Sequence, residues 1–217
     1  MKNLSLVLCL CLLPFFGIAQ TCCDSETKTE QSSSPTEQFA NLSLDADFRS
    51  QHEIPAEFTE PVADGEAITF ELSDGSEGNG FFIASPEPST KWVFLLHEWW
   101  GLNDYVKKEA ERLQQELGNV NMLAIDLYDG KVATTREDAG SYMRATKVER
   151  AEMIIKGAQA YAGDQASIAT IGWCFGGGWS MQTALLLGEQ AAACVIYYGM
   201  PETDLEKLSG LQADVLG

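Results

Sequence analysis

Apolar and polar positions alternate along the chain in runs whose period switches repeatedly between that of a strand and that of a helix. Residues 4–18 are an unbroken apolar stretch, whereas residues 24–38 are Ser, Thr, Glu, Gln and Lys with one Pro. That second stretch has too few apolar side chains to offset the entropy of ordering and is read as a disordered tether spanning 20–38. Residues 39–58 carry scattered apolar side chains without a clear period, and 39–66 is read as a partly docked lead-in segment. The folded domain is expected over 67–217. Residues 67–72 and 80–84 form two strand-like segments around Ser73-Asp74-Gly75, predicting an antiparallel start.

Trp92-Val93-Phe94-Leu95-Leu96 is a continuous apolar run, the pattern of a strand covered on both faces. Asn103 and Asp104 then offer caps, Val106, Ala110, Leu113 and Leu117 share one helical face, and Gly118 terminates the pattern. A strand is predicted over 122–127. Thr134-Thr135-Arg136-Glu137 reads as a capping box opening one helix, and a second helix carries Ala151, Ile154, Ile155, Ala158 and Tyr161. Strands over 167–171 and 191–198 flank a glycine-led helix ending near 187. Such alternation predicts an α/β fold, a mostly parallel doubly wound sheet with helices on both faces.

Composition narrows the functional classes. The 217 residues, 45% hydrophobic and 21% charged, suit one globular domain with terminal extras. Fourteen basic residues against 32 acidic ones, a net charge of -18, leave little to attract phosphate backbones or anionic lipid surfaces, so no nucleic-acid partner is expected. The acidic excess reads as a solvated surface; no acidic run has calcium-loop spacing, and neither a metal nor a cofactor is expected.

Met1-Lys2-Asn3 followed by the apolar stretch is the form of an export signal, too short for a membrane span. Gly17-Ile18-Ala19 supplies small residues for cleavage after Ala19, so the mature chain is expected to begin at Gln20 as a periplasmic or secreted protein. The rival reading is a lipid anchor on Cys22, for which Gln20-Thr21 is a poor preceding match. Of six cysteines, Cys9 and Cys11 lie in the signal, Cys22 and Cys23 are adjacent in the tail, and Cys174 and Cys194 sit in apolar surroundings. No disulfide framework is visible.

The chemistry centres on Gly172-Trp173-Cys174-Phe175-Gly176. In a nucleophile elbow the reactive residue occupies a sharp strand-to-helix turn, and the residues two positions to either side must be small. Gly172 and Gly176 meet that need, and the motif falls between a predicted strand and a predicted helix. G-x-C-x-G alone is weak, and its bland reading is a cysteine packed in a glycine-rich turn; the strand–elbow–helix order favours the nucleophile. The glycines fit neither a dinucleotide fingerprint nor a Walker loop. A thiol at a helix N-terminus is expected to have a lowered pKa. Oxyanion donors are expected from the backbone N–H groups of Phe175 and, in His97-Glu98-Trp99-Trp100-Gly101, of Trp99.

Residues 96–103, Asp126-Leu127-Tyr128, the cysteine elbow and Tyr197-Tyr198-Gly199 together resemble the dienelactone hydrolase family of α/β-hydrolases, over roughly residue 68 to the end of the chain. The resemblance implies hydrolysis of a small ester or lactone by Cys174 through a thioester, with Glu98 holding the resting thiol. It also implies a substrate pocket lined by Tyr197; the residues themselves leave Trp99 and Trp100 open as core packing, pocket wall or both, with Trp100 the candidate for substrate contact. Family members acting on dienelactone carry an Arg soon after the Asp-Leu-Tyr, where this chain has Asp129-Gly130-Lys131. Lys131 is the candidate replacement, without the arginine's two-donor fork.

In such folds the triad acid and His follow the nucleophile. Here the only histidines, His52 and His97, precede Cys174, while Asp204 and Asp214 fall at unsuitable places. The triad Asp and His are therefore expected to be absent from these residues, and the sheet to lack its C-terminal strands and helix. On this reading the chain is truncated and inactive alone. His97 is expected to be a hydrogen-bonded support. Two other classes stay open: a non-catalytic binding protein on the same scaffold, and a redox-sensing thiol.

Overall fold

The computed structural model describes residues 35–62 and 64–217. The expected export signal, Cys22 and most of the stretch read as tether lie outside them. In chain order the elements are helices α1 (Pro35–Leu42) and α2 (Ala46–Gln51), strands β1 (Glu66–Glu71), β2 (Glu77–Ile83) and β3 (Lys91–Leu96), then α3 (Asp104–Leu117) and β4 (Asn121–Asp126). They continue with α4 (Arg136–Ala145), α5 (Val148–Ala162), β5 (Ser167–Trp173), α6 (Phe175–Leu187), β6 (Ala191–Tyr197), α7 (Leu205–Ser209) and β7 (Asp214–Leu216). Among the described residues the strands form one seven-stranded sheet in the order β1-β2-β4-β3-β5-β6-β7. The β1–β2 and β2–β4 pairs are antiparallel and the remaining pairs parallel, as the alternating pattern predicts.

The apolar run of β3 explains its central place. Successive side chains of a strand leave on opposite faces, so Trp92, Phe94 and Leu96 enter one core with Leu123 and Ile125 of β4, while Val93 and Leu95 enter the other with Met122 and Ala124. The first core is covered by α5 and α6, and the second by α3 through Val106, Ala110 and Leu113. Asn103 caps α3 by accepting the Val106 N–H at 3.1 Å, and Gly118 closes it at φ 79°. Leu117, expected on the buried face, is instead 55% exposed because it sits in the last turn. The capping box also moves by one residue: Thr135 caps α4, exchanging bonds with Asp138 rather than pairing Thr134 with Glu137.

The lead-in is more ordered than its aperiodic pattern suggests, and α1 starts inside the stretch read as tether. Phe39 is buried, meets the Phe175 ring edge-on with centroids 6.3 Å apart, and holds α1 against α4 and α6. Polar contacts fasten the rest. Arg144 donates to the Ser43 hydroxyl at 2.7 Å, Arg49 pairs with Glu137, and Arg136 Nε donates to the His52 carbonyl at 2.7 Å. Asp45 caps α2 through the Phe48 N–H. No described helix is long and apolar enough to cross a membrane.

Candidate active site

The parallel strands deliver their carboxyl ends to one edge of the sheet, and Cys174 sits there between β5 and α6. Its backbone lies at φ 54°, ψ -120°, a conformation side chains other than glycine rarely adopt. Neighbouring glycines make this geometry possible. A Cβ on Gly172 would come within 2.0 Å of the Gly176 carbonyl oxygen, and one on Gly176 within 2.1 Å of the Leu96 carbonyl oxygen. The elbow is further tied to β6, where the Cys174 N–H donates to the Tyr197 carbonyl at 3.0 Å. Phe175 opens α6, so its N–H is a first-turn donor without an intrahelical acceptor.

The facing loop follows β3. A turn closed by the Gly101 N–H to the Glu98 carbonyl, 3.2 Å, carries Trp99 and Trp100 at its centre, and the Trp99 N–H takes no part in the closing bond. His97 fixes this loop. Its Nδ1 lies 2.6 Å from the Glu98 carbonyl oxygen and its Nε2 accepts the Leu127 N–H at 3.0 Å, so the proton is on Nδ1 and both nitrogens are occupied. Full burial holds the imidazole below its ordinary pKa range, against the opposing pull of the Asp126 carboxylate. His97 thus clamps the loop to the end of β4 as a neutral support. Asp126 caps that strand end, accepting the Tyr128 N–H at 2.8 Å and the Gly130 N–H at 2.5 Å.

The electrostatics of Cys174 run opposite to the expectation from its helix terminus. Burial pushes the thiol up to about 12; the Phe175 N–H pulls it back, and the Glu98 carboxylate raises it further. A buried sulfur loses more by shedding water than one turn of helix dipole returns. Glu98, half-buried, is itself raised by desolvation and lowered by His52 and by the Tyr198 hydroxyl, which donates to it. The resting thiol is therefore protonated. Among the described residues the buried Tyr128 hydroxyl, which feels the Cys174 charge, and the Trp99 indole N–H on the loop after β3 have no hydrogen-bond partner.

Other sequence-nominated residues go to different places. Tyr197 stacks on Trp173, rings 5.6 Å apart and within 10° of parallel; its neighbour Tyr198, at φ 41°, is the tyrosine that reaches Glu98. Lys131 holds its ammonium 5.6 Å from the centre of the Tyr142 ring, in a cavity of about 210 Å³ that Cys174 does not line. Trp100 joins Glu98 in lining an open cavity of about 350 Å³ with Glu53, Ile54, Tyr105 and Val106. Asp204 caps α7 and Asp214 is exposed in β7, so neither approaches the thiol as a partner. No group of three or more His, Cys, Asp or Glu side chains among the described residues is arranged to hold a metal ion.

One residue the chain order argues against is present. His52, at the end of α2, places its Nε2 3.8 Å from the Cys174 Sγ. Sequence reasoning set it aside because it lies upstream of the nucleophile. The only local signal was the phenylalanine four residues before it, which shares a helical face with it.

The dienelactone hydrolase family model matches residues 79–217. Protein usf of Aquifex pyrophilus is 30% identical over 149 residues, covering 64% of this chain and 63% of its own length. A candidate carboxymethylenebutenolidase of Aquifex aeolicus is 28% identical over 149 residues, with coverage of 64% and 63%. Among solved structures, a dienelactone hydrolase-like promiscuous phosphotriesterase from metagenomic libraries superposes with a TM-score of 0.53 at 25% identity, covering 70% of this chain and 67% of that one. The chain spans 63% of the length of these two curated relatives.

Proposed function

The chain belongs to the dienelactone hydrolase family of α/β-hydrolases, and on that premise we propose that it hydrolyses a small ester or lactone by attack of the Cys174 sulfur on the carbonyl carbon. The observation that carries this reading is the strained backbone of Cys174 at the strand–helix turn, aimed toward the first-turn N–H of Phe175 and the facing Trp99 loop. Strain of this kind is kept where a side chain must be presented to a reacting group.

The thiol loses its proton as the C–S bond forms, and the carbonyl electrons move to oxygen, where the N–H groups of Phe175 and Trp99 are suited to receive them. Collapse breaks the C–O bond and the alcohol leaves with a proton, giving a thioester. Water then adds to the thioester carbonyl, the C–S bond breaks, and the acid departs as the thiol regains its proton. The cavity beside Glu98, which Cys174 itself does not line, carries Glu53 and Glu98 among Ile54, Trp100, Asn103, Tyr105 and Val106, and the two carboxylates make it hostile to a substrate carboxylate. With Lys131 engaged by Tyr142, this lining favours an uncharged substrate over dienelactone, which carries a carboxylate. A protonated, buried thiol argues against the redox-sensor reading, which needs an accessible thiolate.

The test is turnover of p-nitrophenyl acetate by wild type and Cys174→Ala, with binding of the product acid followed separately. Loss of turnover by about 1,000-fold or more is expected for Cys174→Ala. Equal turnover by the two proteins would defeat the reading.

A further inference from the structure

We propose that the cavity between the turn after β4 and the start of α5 is a second binding site, which takes a phosphoryl group carried by inorganic phosphate or a small phosphate monoester. The site is separate from the elbow, since none of Cys174, Glu98 and Trp99 lines it. It does not depend on the hydrolase reading.

Charge singles this cavity out. In a chain of net charge -18, Arg49, Lys107, Lys108, Arg112 and Lys207 each pair with a carboxylate. Lys131 and Lys147 form no ion pair among the described residues, and both line this one cavity of about 210 Å³. Its other charged lining residues are Arg150 and Asp129. The Arg150 guanidinium donates to the Asp129 carboxylate at 2.7 Å, so that carboxylate is already neutralised and does not cancel the lysines. Glu149 stands in the first turn of α5 but does not line the cavity. An excess of two positive charges remains, which matches the charge of nearly two that a phosphate monoester carries at neutral pH. The acidic surface elsewhere does not offset it, because exposed charges are screened beyond about 8 Å at physiological salt.

The walls are held in place without using up this charge. Lys131 keeps its ammonium 5.6 Å from the centre of the Tyr142 ring, a contact that orients the cation and leaves it unneutralised. Arg150 also donates to the Ser76 hydroxyl at 2.7 Å and the Glu77 carbonyl at 3.0 Å, fixing its wall to the start of β2. Asp45, Asn103, Thr135 and Asp204 cap α2, α3, α4 and α7 with their side chains, whereas Lys147 gives the 15-residue α5 no side-chain cap. First-turn N–H groups thus add to the two lysines. Tyr128 lines the cavity from the buried side, and its hydroxyl, kept protonated by burial, is a donor without a partner among the described residues. A volume below the roughly 300 Å³ at which organic-ligand pockets begin suits a small anion.

The experiment measures binding of sodium phosphate and of phenyl phosphate to the full chain by calorimetry at constant ionic strength. Wild type is compared with Lys131→Gln, Lys147→Gln and the double variant, and with Lys91→Gln, which alters an exposed lysine outside the cavity. We expect saturable binding that weakens about tenfold with each cavity lysine removed and is unchanged in Lys91→Gln. Tighter binding of phenyl phosphate would assign the site to a monoester, and tighter binding of phosphate to the free anion. No saturable binding of either compound, or equal binding by wild type and the double variant, would overturn the proposal. So would competition of phosphate with p-nitrophenyl acetate, which would put the anion at the elbow. Binding should persist in Cys174→Ala, so the site and the hydrolase reading can fail independently.

Discussion

Residues 172–177 hold Cys174 and residues 35–62 hold the His52 that faces it, and they do so by different means. Around Cys174 the backbone itself is the constraint. Gly172 and Gly176 lie so close to carbonyl groups that no side chain fits, and a positive φ at Cys174 follows from the turn they allow. Around His52 the constraint is a set of separate side-chain contacts: Phe39 on Phe175, Arg144 on Ser43, Arg136 on the His52 carbonyl, and the exposed Arg49–Glu137 pair. The elbow has no alternative packing, whereas the lead-in can be detached one contact at a time. A cysteine held by backbone and a histidine held by a segment fastened through side chains make the contact between them dependent on docking.

That contrast can be broken first at the elbow. Gly176→Ala puts a Cβ against the Leu96 carbonyl oxygen, which belongs to the central strand and cannot yield. We expect a loss of about 3 to 5 kcal/mol in urea unfolding; a loss under about 1 kcal/mol would show that the elbow can relax. Next in size is Phe39→Ala, which empties the contact with Phe175 and Gly178. It should cost about 2 to 3 kcal/mol and speed proteolytic cleavage within residues 35–62. Unaltered cleavage would mean that the lead-in is held by its polar contacts alone.

A smaller effect separates the two regions by pH. The folded protein keeps the Cys174 proton up to about pH 12, while an unfolded chain releases it near an ordinary thiol's value of about 9. Between those values the folded state binds the extra proton, so stability falls as pH rises through the window and is fully retained below it. From pH 7 to pH 10 the loss attributable to Cys174 should be about 1 kcal/mol. Comparing unfolding curves of wild type and Cys174→Ala isolates it, and parallel pH dependences for the two proteins would contradict the buried-thiol assignment. His52→Gln should leave the alkaline loss in place, since the proton concerned sits on sulfur.

Much of the framework was legible from residue pattern. The run 92–96 predicted a strand covered on both faces, and β3 is paired on both sides and packed on both faces, because five consecutive apolar side chains can be buried only there. Asn103 and Gly118 marked the ends of α3 since each is a local conformational requirement. The capping box slipped by one residue because Thr134 and Thr135 both offer a hydroxyl, and only the path of the chain selects between them. Leu117 kept the right element but not the expected surroundings, since periodicity fixes a face and says nothing of what neighbours cover it. The thiol's direction of titration was missed for a related reason: the helix terminus is visible in the sequence, and the depth of burial is not.

The sequence by itself determined the elbow, the cysteine it carries and the sheet beneath it, because these depend on contacts between residues a few positions apart and on the absence of a Cβ at Gly172 and Gly176. Only the tertiary structure decided what stands opposite the sulfur. The separation of 122 positions between His52 and Cys174 leaves no periodic trace of that contact, which exists because Phe39 finds a site on α6 and α4 binds the end of α2.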